Sequence, residues 1–258
     1  MCFILIGYQS HPDYPLVLAA NRDEFLNRPS QSASWWENNI LAGKDLEQGG
    51  TWLGVNSQGS FAAVTNFRGP QPEGAILSRG DLPVDFLSGQ SGPEEFAEHL
   101  SHHAQQYRAF NLLLGSSSSL YFCNNHESGQ TALSAGIYGL SNASLDTPWP
   151  KLRHGKARFA HLMRSDQILS DDLFNLLTDP QMFPDEALPD TGLPVERERE
   201  LSAMFIQGDT YATRSSTVVM IHKSGQVYFE ERNHRGNYSG NSQIVFNFKQ
   251  ASVTGQVM

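Results

Sequence analysis

The sequence predicts an α+β fold in which mostly antiparallel sheets pack together and are covered by helices. Two observations carry this expectation. Strand-like runs occur at both ends and in the middle of the chain with helical patterns between them, an order that suits packed sheets better than a strictly alternating parallel fold. The chain has 258 residues, 39% of them hydrophobic and 17% charged, enough to bury a full core in one large domain or two.

The elements follow in order. "CFILIGY" and "PLVLAAN" are apolar runs split by "QSHPDY", where Pro12 and Asp13 supply turn chemistry, so they read as a hairpin. "TWLGVNSQGSFAAVTNF" reads as a second hairpin connected through "NSQG". "AILSRGDLPVDFLSG" and "GPEEFAEHLSHHAQQY" carry apolar residues at helical spacing, the latter opening on Pro93 and two glutamates. "FNLLLG", "SLYFCNN" and "AGIYGLSN" read as central strands, the first two joined by a turn in "GSSSS". "KLRHGKARFAHLMR" and "SDDLFNLLTD" form a further helical pair, with Ser170 expected as a cap. "YATRSSTVVMIH", "QVYFEERN" and "QIVFNF" close the chain as strands. The segment from 178 to 200 holds four of the thirteen prolines and reads as a surface excursion. Residues 1–258 are therefore expected to form one domain.

Composition excludes several functions. A formal net charge of −9 argues against the basic surface that nucleic acid or anionic membranes attract. Cys2 and Cys123 are the only cysteines, so neither a disulfide framework nor a cysteine-rich metal site is implied. The first apolar run breaks at Gly7, Tyr8 and Gln9, too short for a signal peptide or a membrane span. A cytoplasmic protein without membrane insertion is the expectation.

Cys2 stands directly behind the initiator methionine. Removal of Met1 would leave a free α-amine, of ordinary pKa about 7.7–8.0, beside a thiol of about 8.5, so one residue would hold both base and nucleophile. Alternatively Cys2 is a small apolar residue that starts a buried strand. "NRDE" (Asn21, Arg22, Asp23, Glu24) ends the strand that should pair with the Cys2 strand, which brings the cluster near the terminus. A carboxylate there can orient the ammonium, and Arg22 can lower the thiol pKa. The other reading is an exposed ion-pair cluster, of little value to stability.

"NRDE" together with "AGKDLEQGGTWLGVNSQGSFAAVTNFR", "SRGDLPVDFL", "FNLLLG" and "YGLSNASLDTPWPKL" resembles the NRDE family, also called the transport and Golgi organisation protein 2 family, over residues 1 to about 155. More distantly the chain resembles N-terminal nucleophile (Ntn) hydrolases of the choloylglycine and penicillin acylase type, which implies a four-layer αββα sandwich. The resemblance implies Cys2 as nucleophile and Asp23 against the terminal amine. It implies Asn66 in "VTNFR" and Asn142 in "GLSN" at an oxyanion hole, and Arg214 in "YATRSS" beside the cysteine. Those hydrolases carry an arginine three positions before the aspartate, where this chain has Ala20 and places Arg22 next to Asp23 instead.

The chemistry suits these residue types, because attack on an acyl carbon puts negative charge on its oxygen and preorganised amide donors stabilise it. Asn66 and Asn142 equally suit strand-end turns. Trp35, Trp36 and Trp52 lie in the blocks nearest this cluster and could line an apolar acyl or ring pocket; Trp52 reads better as core packing, which leaves Trp35 and Trp36, with Asn21 and Arg22, as the expected binding residues. His99, His102 and His103 lack the carboxylate of an "HExxH" pattern, so no metal site is expected. Two functions remain open: an amidohydrolase, thioesterase or acyltransferase using Cys2, or a carrier of a hydrophobic metabolite. The resemblance implies haem or an acyl lipid as the carried ligand, while no "CxxCH" motif for covalent haem occurs. No resident cofactor is expected.

Overall fold

The computed structural model describes residues 2–127, 129–236, 238–239 and 242–251. Met1, on whose removal the free amine of Cys2 depends, lies outside the described residues. β1 (Cys2–Tyr8) and β2 (Leu16–Phe25) form the first hairpin. β3 (Ser30–Trp35) and β4 (Ile40–Asp45) follow, then β5 (Leu53–Asn56) and β6 (Phe61–Asn66). Helices α1 (Asp81–Ser88) and α2 (Pro93–Ser101) lead to β7 (Phe110–Gly115), β8 (Leu120–Asn124), β9 (Gln130–Ala132) and β10 (Gly136–Leu140). α3 (Pro150–Leu162), α4 (Ser170–Leu177) and α5 (Val195–Glu200) precede β11 (Tyr211–Ile221), β12 (Gln226–Asn233), β13 (Tyr238–Ser239) and β14 (Gln243–Lys249).

The strands make two sheets. One runs β10-β1-β2-β11-β12-β14 and the other β13-β3-β4-β5-β6-β7-β8-β9. Every pairing between them is antiparallel except the short β13–β3 contact. Side chains alternate faces along a strand, and three cores result. Ile4, Ile6, Leu18 and Ala20 meet Leu41, Val55, Phe61 and Leu113 between the sheets. Phe3, Leu5, Val17 and Ala19 face the other way, onto Leu152, Phe159, Leu173 and Phe174 of α3 and α4. Ile40, Ala42, Ala62 and Val64 take Leu82, Phe86, Ala97 and Leu100 of α1 and α2. The result is the four-layer αββα sandwich. β1 and β2 read as unbroken apolar runs because both of their faces are buried.

Some local expectations are corrected. Ser170 does not cap α4: Leu169 holds the cap position, and the Ser170 hydroxyl accepts a hydrogen bond from Tyr228 at 3.1 Å. The stretch before Asp81 is not helical, because Leu77 bridges to Tyr107 and Thr51 N–H donates to Gly80 C=O at 3.1 Å. The excursion at 178–200 is exposed over most of its length and is held down at Glu198, which takes the Arg68 guanidinium at 2.7 Å. Among the described residues no helix is long and apolar enough to cross a membrane.

Candidate functional site

At one end of the space between the sheets lies a cavity of about 370 Å³ whose wall includes Cys2, Arg22, Asp23, Trp52, Asn66, Arg79, Ser215 and Glu231. Sheet register explains the set. Cys2 pairs with Arg22, Arg22 with Ser215, and Ser215 with Asn233, so one row crosses four strands on the cavity face. The row behind it is Ile4, Ala20, Thr217 and Glu231. Arg22 thus shares the face of Ala20, two residues further along β2 and directly across from Cys2. The arginine absent at position 20 has a counterpart one pleat nearer the thiol.

Burial is the dominant influence on Cys2 and pushes its thiol up to about 11, with Arg22 pulling the other way and Asp23 and Glu24 adding to the rise. Arg22 is almost wholly buried. Its Nη2 lies 3.6 Å from Asp45 and 3.8 Å from Glu24, and its Nη1 has no hydrogen-bond acceptor among the described residues. Asp23 is buried on the helix side of β2, where Oδ1 accepts from Thr213 Oγ1 at 2.6 Å and its carbonyl accepts from Tyr211 Oη at 2.9 Å. Desolvation raises the Asp23 pKa against the pull of neighbouring cations, Lys151 among them. Lys151 is itself buried, donates to Leu201 C=O at 2.8 Å, and is pushed down to about 8 by desolvation.

The two asparagines meet. Asn142 Nδ2 donates to Asn66 Oδ1 at 2.9 Å and to Asn66 C=O at 3.1 Å, which uses both of its amide hydrogens. Asn142 is fully buried and does not line the cavity. Asn66 does, and its own Nδ2 donates to no protein group among the described residues. Ser141 Oγ, which donates to Cys2 C=O at 3.2 Å, ties the same corner to β1.

Other expected residues lie elsewhere. Asn21 points into the helix layer, with Nδ2 donating to Leu177 C=O and Met204 C=O, each at 2.8 Å. Arg214 is the extra residue of a bulge between Thr213 and Ser215, which re-aims it away from the cavity. Its guanidinium donates to Phe25 C=O at 2.8 Å, Arg28 C=O at 2.7 Å and Arg235 C=O at 3.0 Å. Trp35 packs edge-on against Phe246 and Phe248 at the far end of β3, while Ser30 and Gln31 at its near end line the cavity. Trp36 donates from Nε1 to Ala42 C=O and packs against the α1–α2 core. Trp52 is the tryptophan on the wall. Sequence reading also passed over Arg79, Lys151 and Glu231. Lys151 gave a signal, since it stands between Pro150 and Leu152 on the buried face of α3.

The family model described as Transport and Golgi organisation 2 matches residues 1–236. The chain belongs to this family. The human Transport and Golgi organization protein 2 homolog is 35% identical over 255 residues, covering 90% of this chain and 92% of the relative. The Drosophila melanogaster Transport and Golgi organization protein 2 is 31% identical over 265 residues, covering 92% and 93%. Two solved structures share the Ntn-hydrolase fold. The Caenorhabditis elegans ortholog of N-acylethanolamine-hydrolyzing acid amidase has a TM-score of 0.53 at 10% identity, over 84% of this chain and 92% of its own. A variant of conjugated bile acid hydrolase from Clostridium perfringens has a TM-score of 0.50 at 12% identity, over the whole of both chains. In this family member the fold is therefore that of Ntn hydrolases.

Proposed function

We propose that this family member is a cytoplasmic N-terminal cysteine hydrolase or acyltransferase acting on a small acyl amide or thioester. The observation that carries the reading is that Cys2 and Asn66, whose Oδ1 is held by Asn142 and whose Nδ2 donates to no other described group, line one cavity. With Met1 removed, the amine of Cys2 takes the thiol proton and sulfur attacks the carbonyl carbon. The C–S bond forms, and the charge on the carbonyl oxygen is met by Asn66 Nδ2. As the adduct collapses, the C–N or C–S bond to the leaving group breaks, and that group departs with the proton. Water, or an acceptor amine, then attacks the acyl-Cys2 thioester. Asp23, buried beside the terminus, orients the ammonium, and Arg22 favours the thiolate.

The alternative, a carrier of haem or an acyl lipid, draws its support from the family name and from a thiol that burial keeps protonated. The residues present fit a porphyrin poorly. Among the described residues lining the cavity, ten are Asp, Glu, Lys or Arg, and Cys2 is the only one of an axial-ligand type. An acyl compound with polar parts suits this wall better.

Intact mass of untagged protein, before and after an electrophilic acyl probe, tests the proposal. The expected result is loss of Met1 and a single adduct on Cys2 that is absent from Cys2→Ala. A retained Met1 with an inert Cys2 overturns it and leaves the carrier.

A further inference from the structure

The cavity wall carries five cationic side chains and five carboxylates, and its close ion pairs all fall on Arg22 and Arg28. Asp45 takes Arg28 at 2.7 Å and Arg22 at 3.6 Å, Glu47 takes Arg28 at 3.5 Å, and Glu24 lies 3.8 Å from Arg22. Lys44 sits over the Trp36 ring at 4.9 Å. Arg79, half-buried on the wall, and Arg108, exposed at its rim, make no side-chain hydrogen bond or ion pair among the described residues, and Arg22 Nη1 is buried there without an acceptor. A buried donor left unmade costs free energy, and Arg22 Nη1 in this state, with two guanidinium groups that hold no protein partner beside it, marks a place for an acceptor.

The backbone holds Arg79 where it is. Ile76 and Leu77 N–H donate to Gln106 C=O at 3.1 and 3.0 Å, and Arg108 N–H donates to Leu77 C=O at 3.3 Å. On the other side Gly80 presses against Gly50 so closely that a Cβ on Gly50 would lie 2.5 Å from the Gly80 carbonyl oxygen. A segment strapped on both flanks presents its side chain with little entropy left to lose on binding. Arg79, Arg108 and Asn66 also line a second recess, beside Phe67, Gln71 and Pro72. They therefore stand at the neck between two spaces.

We propose that Arg79, with Arg108 and Arg22 Nη1, is an oxyanion-binding site that takes a carboxylate or phosphate carried by the ligand whose acyl end reaches Cys2. This rests on the reading of the cavity as an acyl site and adds the chemistry of the rest of the molecule. Guanidinium groups suit both anions, since their planar donors match paired oxygens. The second recess gives the part beyond the anion somewhere to lie.

The test titrates full-length protein with dodecanoate, dodecyl phosphate and dodecanol, following Trp fluorescence and heat. The expected result is that at least one anion binds about 10- to 100-fold tighter than the alcohol, the range for charge-assisted hydrogen bonds. Arg79→Met should remove most of that preference, Arg79→Lys should keep part of it, and the rim variant Arg108→Met, which leaves the core untouched, should weaken it less. The anion with the larger preference identifies the headgroup. Equal binding of all three probes, no binding of either anion, or a preference unmoved in Arg79→Met overturns the proposal. Cys2→Ala separates the two ideas. Anion preference kept by wild type and Cys2→Ala, with no acyl adduct on the wild type, sinks catalysis alone. An adduct on Cys2 without anion preference sinks the arginine site alone.

Discussion

Asn66 and Asn142 do different work although the sequence offers them as equals. Asn142 spends both amide hydrogens on Asn66, so it fixes a donor instead of supplying one. Under the proposed catalysis, Asn66→Ala should lower kcat by about 10²–10³ with little change in KM, the usual result of removing one oxyanion donor. Asn142→Ala should lower kcat less. The double variant should be no slower than Asn66→Ala, because the second residue acts only through the first. Steady-state rates on an acyl substrate decide this, and multiplicative losses in the double variant would show that Asn142 meets the oxyanion itself. Residue identities at this scale were legible where a strand register is short and local, as for Cys2 opposite Arg22. Asn21 and Arg214 were misplaced because their partners are backbone carbonyls far along the chain, at Leu177, Met204, Phe25 and Arg235.

At the scale of elements, the bulge in β11 and the loop after β12 depend on one another. The bulge turns Arg214 toward three carbonyls, and Gly236, at φ +101°, closes over the guanidinium so tightly that a Cβ there would sit 2.4 Å from Nε. Only glycine tolerates both the conformation and the approach. Gly236→Ala should therefore cost on the order of 1–3 kcal/mol, read as a lower midpoint in urea unfolding. An unchanged midpoint would mean that the loop moves off Arg214 freely. Hairpins such as β1–β2 and β5–β6 were legible because apolar runs flank turn residues. β3 and β4 were not, since "SQSASW" and "ILAGKD" alternate too weakly and their hydrogen bonds come from sheet neighbours. The helices were legible where an apolar face meets a sheet. Ala75–Gly80 was misread because its apolar spacing serves a strap between two loops.

At the scale of the whole molecule, the space between the sheets is apolar at one end and charged at the other, and Glu231 stands at the border. It is buried, accepts a hydrogen bond from Ala33 N–H at 2.8 Å, and has its pKa raised from 4.5 to about 7, chiefly by desolvation. The native state thus keeps a proton that the unfolded chain releases. This proton contributes stability in full below about 4.5 and progressively less as pH rises through 7, a change on the order of 3 kcal/mol in all. Asp23, also raised by burial, acts in the same direction, while Asp45 and Asp179, whose pKa values are lowered, act against it. The comparison that isolates Glu231 is therefore wild type against Glu231→Gln, which can keep the Ala33 bond and carries no charge. Urea midpoints from pH 4.5 to 8 should show the two converging at the acid end and the variant more stable at the alkaline end. Parallel curves would mean that water or a cation already solvates the carboxylate. An anion bound near Arg22 would add negative charge beside Glu231 and hold its proton more tightly. Binding of dodecyl phosphate near pH 7, which itself sheds phosphate protons beside guanidinium groups, should accordingly release fewer protons in wild type than in the variant, measurable as a heat that changes with the ionisation enthalpy of the buffer.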